Sequence, residues 1–287
     1  MTLLKRELNR ILRRLGYEVR RTARGTPQVD ELSGIDFRKF LELYLLGNDL
    51  SKFFFIQVGA HNGITNDSMF EFVHRFRLKG ALVEPQAEAF RELQENYKGC
   101  DHIHLENIAI SYRTGRQPLY TIKRDLEFLQ YANQAASFDY EHVRDQLRDH
   151  LTDGASAAVR MKIAVLGLRV EDCIETQTVA TMTLQDLLDK YGLDGYDFLQ
   201  IDTEGFDYDV VKLANIPSYR PRLINYEHAH LGPAAKQECW DYLAALDYQM
   251  FTHGADTTAY ARDSEAYIYG ARARADVSKT LLAPTRC

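Results

Sequence analysis

The run Phe53-Phe54-Phe55-Ile56-Gln57-Val58-Gly59-Ala60-His61-Asn62-Gly63 constrains this chain more than any other segment. An aromatic and aliphatic run that stops at a glycine turn is the pattern of a strand buried on both faces of a parallel sheet. The polar residues that follow place Asn66 or Asp67 to cap a helix through Phe70, Val73 and Phe76. Strand, tight turn and helix start, in that order, form the local plan of a nucleotide-type site in an open α/β sheet.

The same alternation continues. Gly80 to Glu84 is a short apolar strand ending in an acid, and helix 86–97 turns Phe90, Leu93 and Tyr97 inward. Ile103 to Ile110 is a third strand. After an interruption at 111–178, Val179 to Met182 is a strand, and Thr183 caps helix 184–191. Tyr196 to Ile201 is a strand running into Asp202-Thr203-Glu204-Gly205, before helix 207–214. Arg222 to Tyr226 leads to Glu227-His228-Ala229-His230, followed by helix 234–246, strand 247–252 and a last hairpin of 257–262 and 266–270. Strands alternating with helices of this length imply an α/β fold with right-handed crossovers.

The organisation has three parts. Residues 1–35 hold a basic amphipathic helix and a linker, 36–270 the α/β domain, and 271–287 a polar tail. In the first part Leu4, Leu8, Ile11, Leu12 and Leu15 share a face flanked by Lys5, Arg6, Arg10, Arg13 and Arg14. That helix either docks on an anionic membrane surface or a partner, or packs on the domain or across a homodimer. The stretch 111–178, with a strand at Gln117–Ile122, a charged helix at Glu141–Leu151 and an otherwise polar, irregular course, reads as a lid or substrate-binding insertion, or else as a disordered surface excursion.

Composition narrows the function. The net charge of -6 and pI of about 5.9 argue against nucleic-acid partners. The four cysteines (Cys100, Cys173, Cys239 and Cys287) show no CxxC pair, so a reduced, cytoplasmic chain is expected. No apolar run approaches the ~20 residues of a membrane span, and no signal-peptide core is visible. Any membrane contact is expected to be peripheral, through the N-terminal helix.

Polar residues gather at the strand ends, where open α/β sheets bind ligands. Gly59 to Gly63 is G-x-x-x-G, not the dinucleotide fingerprint G-x-G-x-x-G, which favours a ligand without phosphates. Glu84 ends the next strand and can accept both hydroxyls of a ribose, or else is a solvated strand-end carboxylate. Asn107-Ile108-Ala109 can offer an amide and backbone groups to an adenine edge.

These segments resemble the FkbM-type branch of S-adenosylmethionine-dependent methyltransferases. The resemblance rests on Phe55 to Gly63, Leu82-Val83-Glu84-Pro85, Glu106 to Ile110, Thr183-Leu184, Leu199 to Gly205 and Ile224-Asn225-Tyr226-Glu227-His228. Gln57 stands where many such enzymes carry an acid. The resemblance implies a seven-stranded Rossmann-like methyltransferase sheet with helices on both faces. It implies that Gln57, Gly59, Ala60, His61, Asn62, Gly63 and Thr65 surround the methionine part of the cofactor. Glu84 and Pro85 would lie at the ribose, Asn107, Ile108 and Ala109 at the adenine, and Asp202 close by. The implied reaction is methylation of a hydroxyl, often on a glycan, glycolipid or secondary metabolite.

A sugar hydroxyl does not ionise unaided near neutrality, so the reaction needs a base or a metal. Asp202, Glu204, Glu227, His228 and His230 are the candidates, with His228 or Glu227 as the base and Asp202 orienting the site. Asp202, Glu227 and His228 also offer ligands for a divalent cation such as magnesium. Glu204 can equally cap the next helix, and His230 can equally be a core histidine. Tyr131, Phe138 and Tyr140 either stack on a sugar or form the lid's own core. Two rival readings are methylation of a soluble natural product or peptide, and a non-catalytic binding module on the same fold.

Overall fold

The computed structural model describes residues 29–31 and 37–262, apart from 124, 127 and 130–135. The amphipathic helix expected at 2–21, Tyr131, the strand at 266–270 and the tail from Ala271 lie outside the described residues. Among the described residues no helix is long and apolar enough to cross a membrane.

The first half of the main sheet comprises β1 (Val29–Glu31), β2 (Phe54–Val58), β3 (Lys79–Val83) and β4 (Ile103–Glu106). The second half comprises β9 (Phe198–Ile201), β10 (Leu223–Glu227), β11 (Tyr248–His253) and β12 (Asp256–Ala261). Its order is β1-β11-β12-β10-β9-β2-β3-β4. Without the short edge strand β1, this is a seven-stranded sheet in which only β12 runs antiparallel to its neighbours. The helices are α1 (Phe37–Gly47), α2 (Met69–Phe76), α3 (Ala87–Asn96), α6 (Leu184–Lys190), α7 (Asp207–Leu213), α8 (Ile216–Tyr219) and α9 (Pro233–Ala245). The chain leaves β2 toward β3 and β4, then returns through β9 on its other side. That reversal opens a crevice at the carboxyl ends of β2 and β9.

The aromatic run explains why β2 lies in the middle. Phe54, Ile56 and Val58 enter one core with Leu199, Ile201, Ile224 and Tyr226. Phe53 and Phe55 enter the other with Phe37, Phe40, Leu41, Tyr44 and Leu45 of α1. Burying each such side chain contributes ~1.5–3 kcal/mol relative to leaving it exposed.

The stretch from 109 to 182 departs from expectation. The predicted third strand breaks after Glu106, and β5 (Ala109–Ile110) belongs to a second sheet of order β5-β8-β6-β7. That sheet contains β6 (Gly115–Ile122), β7 (Ala136–Ser137) and β8 (Ile174–Met182), so Val179 to Met182 is not part of the main sheet. With α4 (Tyr140–Asp149) and α5 (Ala157–Leu166) it forms an ordered lid. The lid has a small core of its own, with Ile122, Leu129, Val143, Leu147, Cys173 and Ile174 buried in it. Asp139 caps α4 by accepting from Glu141 N at 2.9 Å, and Ser156 caps α5 by accepting from Val159 N at 3.3 Å.

Candidate active site

The crevice holds a cavity of about 400 Å³ walled by the ends of β2, β3, β9 and β10 and by the lid. Its floor is the turn after β2. Gly59 has φ +82°, and a Cβ there would lie 1.7 Å from the Asp202 carbonyl oxygen. Only glycine lets the two strand ends come this close. The amides of Gly59 and Ala60 both donate to Val83 O at 3.0 Å, and Asp202 N donates to Val58 O at 2.9 Å. Asp67 starts the next helix by accepting from Met69 N at 2.5 Å and also accepts from Gln57 Nε2 at 3.0 Å.

Gln57, Gly59, Ala60, His61, Thr65, Glu84, Pro85 and Ala109 all line the cavity. Glu84 is 3% exposed, and its two oxygens accept from His61 N and Gln86 N, each at 2.8 Å. It is therefore a buried organiser of the turn rather than a solvated carboxylate. Gln57 Oε1 is buried and finds no hydrogen-bond partner, which leaves an acceptor at the wall.

Four of the sequence-predicted residues stand elsewhere. Gly63 packs under Leu93 and Tyr97, and Asn62 ties its loop by accepting from Ile64 N and Thr65 N. The Asn107 amide donates to the carbonyls of Glu84 and Pro85, at 2.8 and 3.1 Å, and Ile108 is buried in the main core. The chain turns out of the main sheet at Asn107, so these two brace the cavity from behind.

Asp202, Glu204, Glu227 and His230 converge on the far wall. His228 does not. Side chains alternate along a strand, and His228 follows Glu227 on the opposite side. Its ring is buried, with Nδ1 2.9 Å from Thr257 Oγ1 and Trp240 packed edge-on at 6.4 Å. Burial pushes the His228 pKa down to about 4. His230 stands where His228 was expected. Its Nε2 is 3.1 Å from Glu204 Oε2 and 3.5 Å from Glu227 Oε1. Glu204, at φ +53°, thus aims its carboxylate at the site, and Asp207 ties the turn before the next helix by accepting from Gly205 N and Thr203 Oγ1.

The lid closes over this wall. His142 Nε2 lies 2.8 Å from Glu204 O, and Gln146 Nε2 lies 3.0 Å from His230 Nδ1. Phe138 meets Phe206 edge-on at 5.4 Å, and both line the cavity. Tyr140 packs instead on Tyr120 within the lid. Sequence reasoning missed Gln146, Asp67 and Asp256. The first sits in an insertion with weak periodicity. Asp67 reads only as a helix cap, and Asp256 enters because β12 pairs it with Glu227.

The cavity is electrostatically one-sided. Asp67, Glu84, Asp202, Glu204, Glu227 and Asp256 line it, and among the described residues no Lys or Arg does. Burial first, then the nearby carboxylates, push Asp202 up to about 8 and Glu227 up to about 9. Burial likewise raises Asp207 to about 7 and Asp256 to about 6. These groups bind protons more tightly folded than unfolded, so their contribution is present at low pH and lost as pH rises through the folded values. His228 opposes them only below its unfolded value of about 6.5. The ligand-free protein is therefore expected to lose melting temperature between pH 6 and pH 9. Circular-dichroism melts across that range check this, and a constant or rising melting temperature contradicts it.

The profile of the methyltransferase FkbM domain matches residues 57–250. The chain belongs to the FkbM methyltransferase family. No curated protein matches the sequence. Among solved structures, the chain is similar to methyltransferase FkbM from Methylobacillus flagellatus KT, with 13% identity and a TM-score of 0.41. That match covers 74% of this chain and 45% of the other, so this FkbM methyltransferase spans under half of that protein's length. It is also similar to the N-terminal domain of human METTL16, with 11% identity, TM-score 0.40, and 78% and 68% of the two chains covered. A third similar structure is an O-methyltransferase from Bacillus cereus in complex with SAH, with 9% identity, TM-score 0.37 and 91% of each chain covered.

Proposed function

We propose that this FkbM methyltransferase transfers a methyl group from S-adenosylmethionine to a hydroxyl of a sugar in a surface glycan or glycolipid, with His230 as the general base. The observation that carries the reading is the cavity at the strand reversal, lined by carboxyls and, among the described residues, by no Lys or Arg. Such a cavity fits a cofactor that brings a sulfonium and an ammonium. S-adenosylmethionine supplies an electrophilic methyl group when bound.

The chain's own residues supply the rest. Glu84 keeps acceptor capacity beyond its two amide bonds and holds the ribose hydroxyls. The Gln57 Oε1 acceptor takes a hydrogen bond from the ammonium. Val83, Pro85, Ala109, Ile110 and Leu119 give a dry slot for the adenine. Phe138 and Phe206 offer ring faces to a sugar and exclude water from the transfer. His230 removes the hydroxyl proton through Nε2, and the Glu204 carboxylate stabilises the imidazolium that forms. In this reactive state the Gln146 amide turns its otherwise unpartnered Oε1 to His230 Nδ1, which fixes the tautomer.

A second reading of the same wall is a divalent cation such as magnesium on Glu204, Glu227 and His230, whose ligand atoms lie within 4.8 Å of one another. Here His230 takes the place given to His228 from sequence. A cation there would polarise the hydroxyl directly. Transfer of labelled methyl to a panel of deoxysugar glycans, glycolipids, soluble natural products and peptides, with and without EDTA, tests both readings. Label on a sugar with EDTA present supports His230 as the base, and loss with EDTA that magnesium restores supports the cation. Label on no acceptor, despite cofactor binding, favours a non-catalytic module.

A further inference from the structure

Helix α5 is apolar on both sides. Val159 and Ile163 pack into the lid core against the cluster that holds Val143 and Leu147 of α4. On the outer side Met161 and Val165 are 69% and 76% exposed, and Ala157, Ala158 and Ala164 are exposed beside them. A helix that is apolar all round normally lies within a protein or a membrane. The only charges on α5 are Arg160 and Lys162, although the whole chain carries -6. Among the described residues neither meets a carboxylate. Arg160 donates to the carbonyls of Ala155 at 2.6 Å and Thr152 at 3.4 Å, and the Lys162 ammonium sits 4.6 Å over the Phe128 ring.

We propose that the outer face of α5 docks on an anionic lipid bilayer, with Met161 and Val165 entering the headgroup boundary while Arg160 and Lys162 meet lipid phosphates. Charge decides the occupant. A second copy packed on the same face would bring Arg160 and Lys162 against their like. The chain's own segment 2–21 carries Lys5, Arg6, Arg10, Arg13 and Arg14 and is repelled for the same reason. An apolar face ringed by cations and set in an acidic protein is complementary to anionic lipid. The inner face of α5 shares a core with α4, the helix that carries His142 and Gln146 to the wall of the site. Docking would therefore set the lid, and the site beneath it, against the bilayer. This inference does not depend on the identity of the acceptor.

The test is co-sedimentation of the full chain with phosphatidylcholine vesicles and with mixed phosphatidylcholine–phosphatidylglycerol vesicles. The wild-type chain is expected to pellet with the mixed vesicles only, and less at high salt. Met161→Ser with Val165→Ser is expected to weaken that binding at least about tenfold with an unchanged circular-dichroism melt. Lys162→Glu is expected to weaken it at low salt. No pelleting with mixed vesicles, equal pelleting with neutral ones, or wild-type binding by the double variant would each overturn the proposal. No pelleting would point to an acidic protein surface instead.

Discussion

His230→Ala is expected to lower the turnover number by about 10²- to 10⁴-fold, the contribution of a positioned general base. S-adenosylmethionine affinity should change less than about twofold, because the loss falls on the transition state. The His230 side chain is 37% exposed, so the fold should tolerate the change. His228→Ala is the informative contrast. That ring is buried against Thr257 and Trp240, so its removal should cost stability while leaving turnover near wild type in the folded fraction. The assignment fails if His228→Ala abolishes turnover in a fully folded protein and His230→Ala does not. A single-turnover methyl-transfer assay on both variants, with melts in parallel, separates the outcomes.

Gly59→Ala is expected to destabilise the protein by about 3 kcal/mol and to abolish cofactor binding. Two effects combine. Alanine at φ +82° is strained by roughly 1–2 kcal/mol, and forcing atoms into a packed site adds about 1–3 kcal/mol. The added Cβ would fall 1.7 Å from the Asp202 carbonyl oxygen, so β2 and β9 must part at the cavity floor. Urea denaturation checks the first effect and cofactor titration the second. A variant with wild-type stability and affinity would mean that this turn is not the rigid floor described here.

The main sheet was legible because its strands are buried on both faces. Phe53 to Val58 reads as one unbroken apolar run, and Gly59 marks its end whatever packs around it. Glu84, Asp202, Glu204 and Glu227 were legible as strand-end acids, because strand ends in this fold point at one crevice. The lid was legible in part: the insertion, a strand at Gln117–Ile122 and a charged helix at Glu141–Leu151 stood out, and they correspond to β6 and α4. Its sheet was not, because β6 and β8 carry many Thr, Gln, Glu and Arg residues and their pairing joins residues about sixty apart. Whether His228 or His230 faces the cavity was not legible for a different reason. Both follow the same strand, and only the side-chain alternation beyond Glu227, together with the reach of Gln146 from the lid, decides which ring faces the cavity.

The central claim is that the carboxyl-lined cavity is the cofactor site. Isothermal titration of the full chain with S-adenosylmethionine and S-adenosylhomocysteine tests it most directly, with Glu84→Gln beside the wild type. The account predicts one site with a dissociation constant on the order of micromolar, and an affinity at least about tenfold weaker in Glu84→Gln, whose amide nitrogen cannot accept from a ribose hydroxyl. Absence of binding by either ligand to the folded wild-type chain would contradict it.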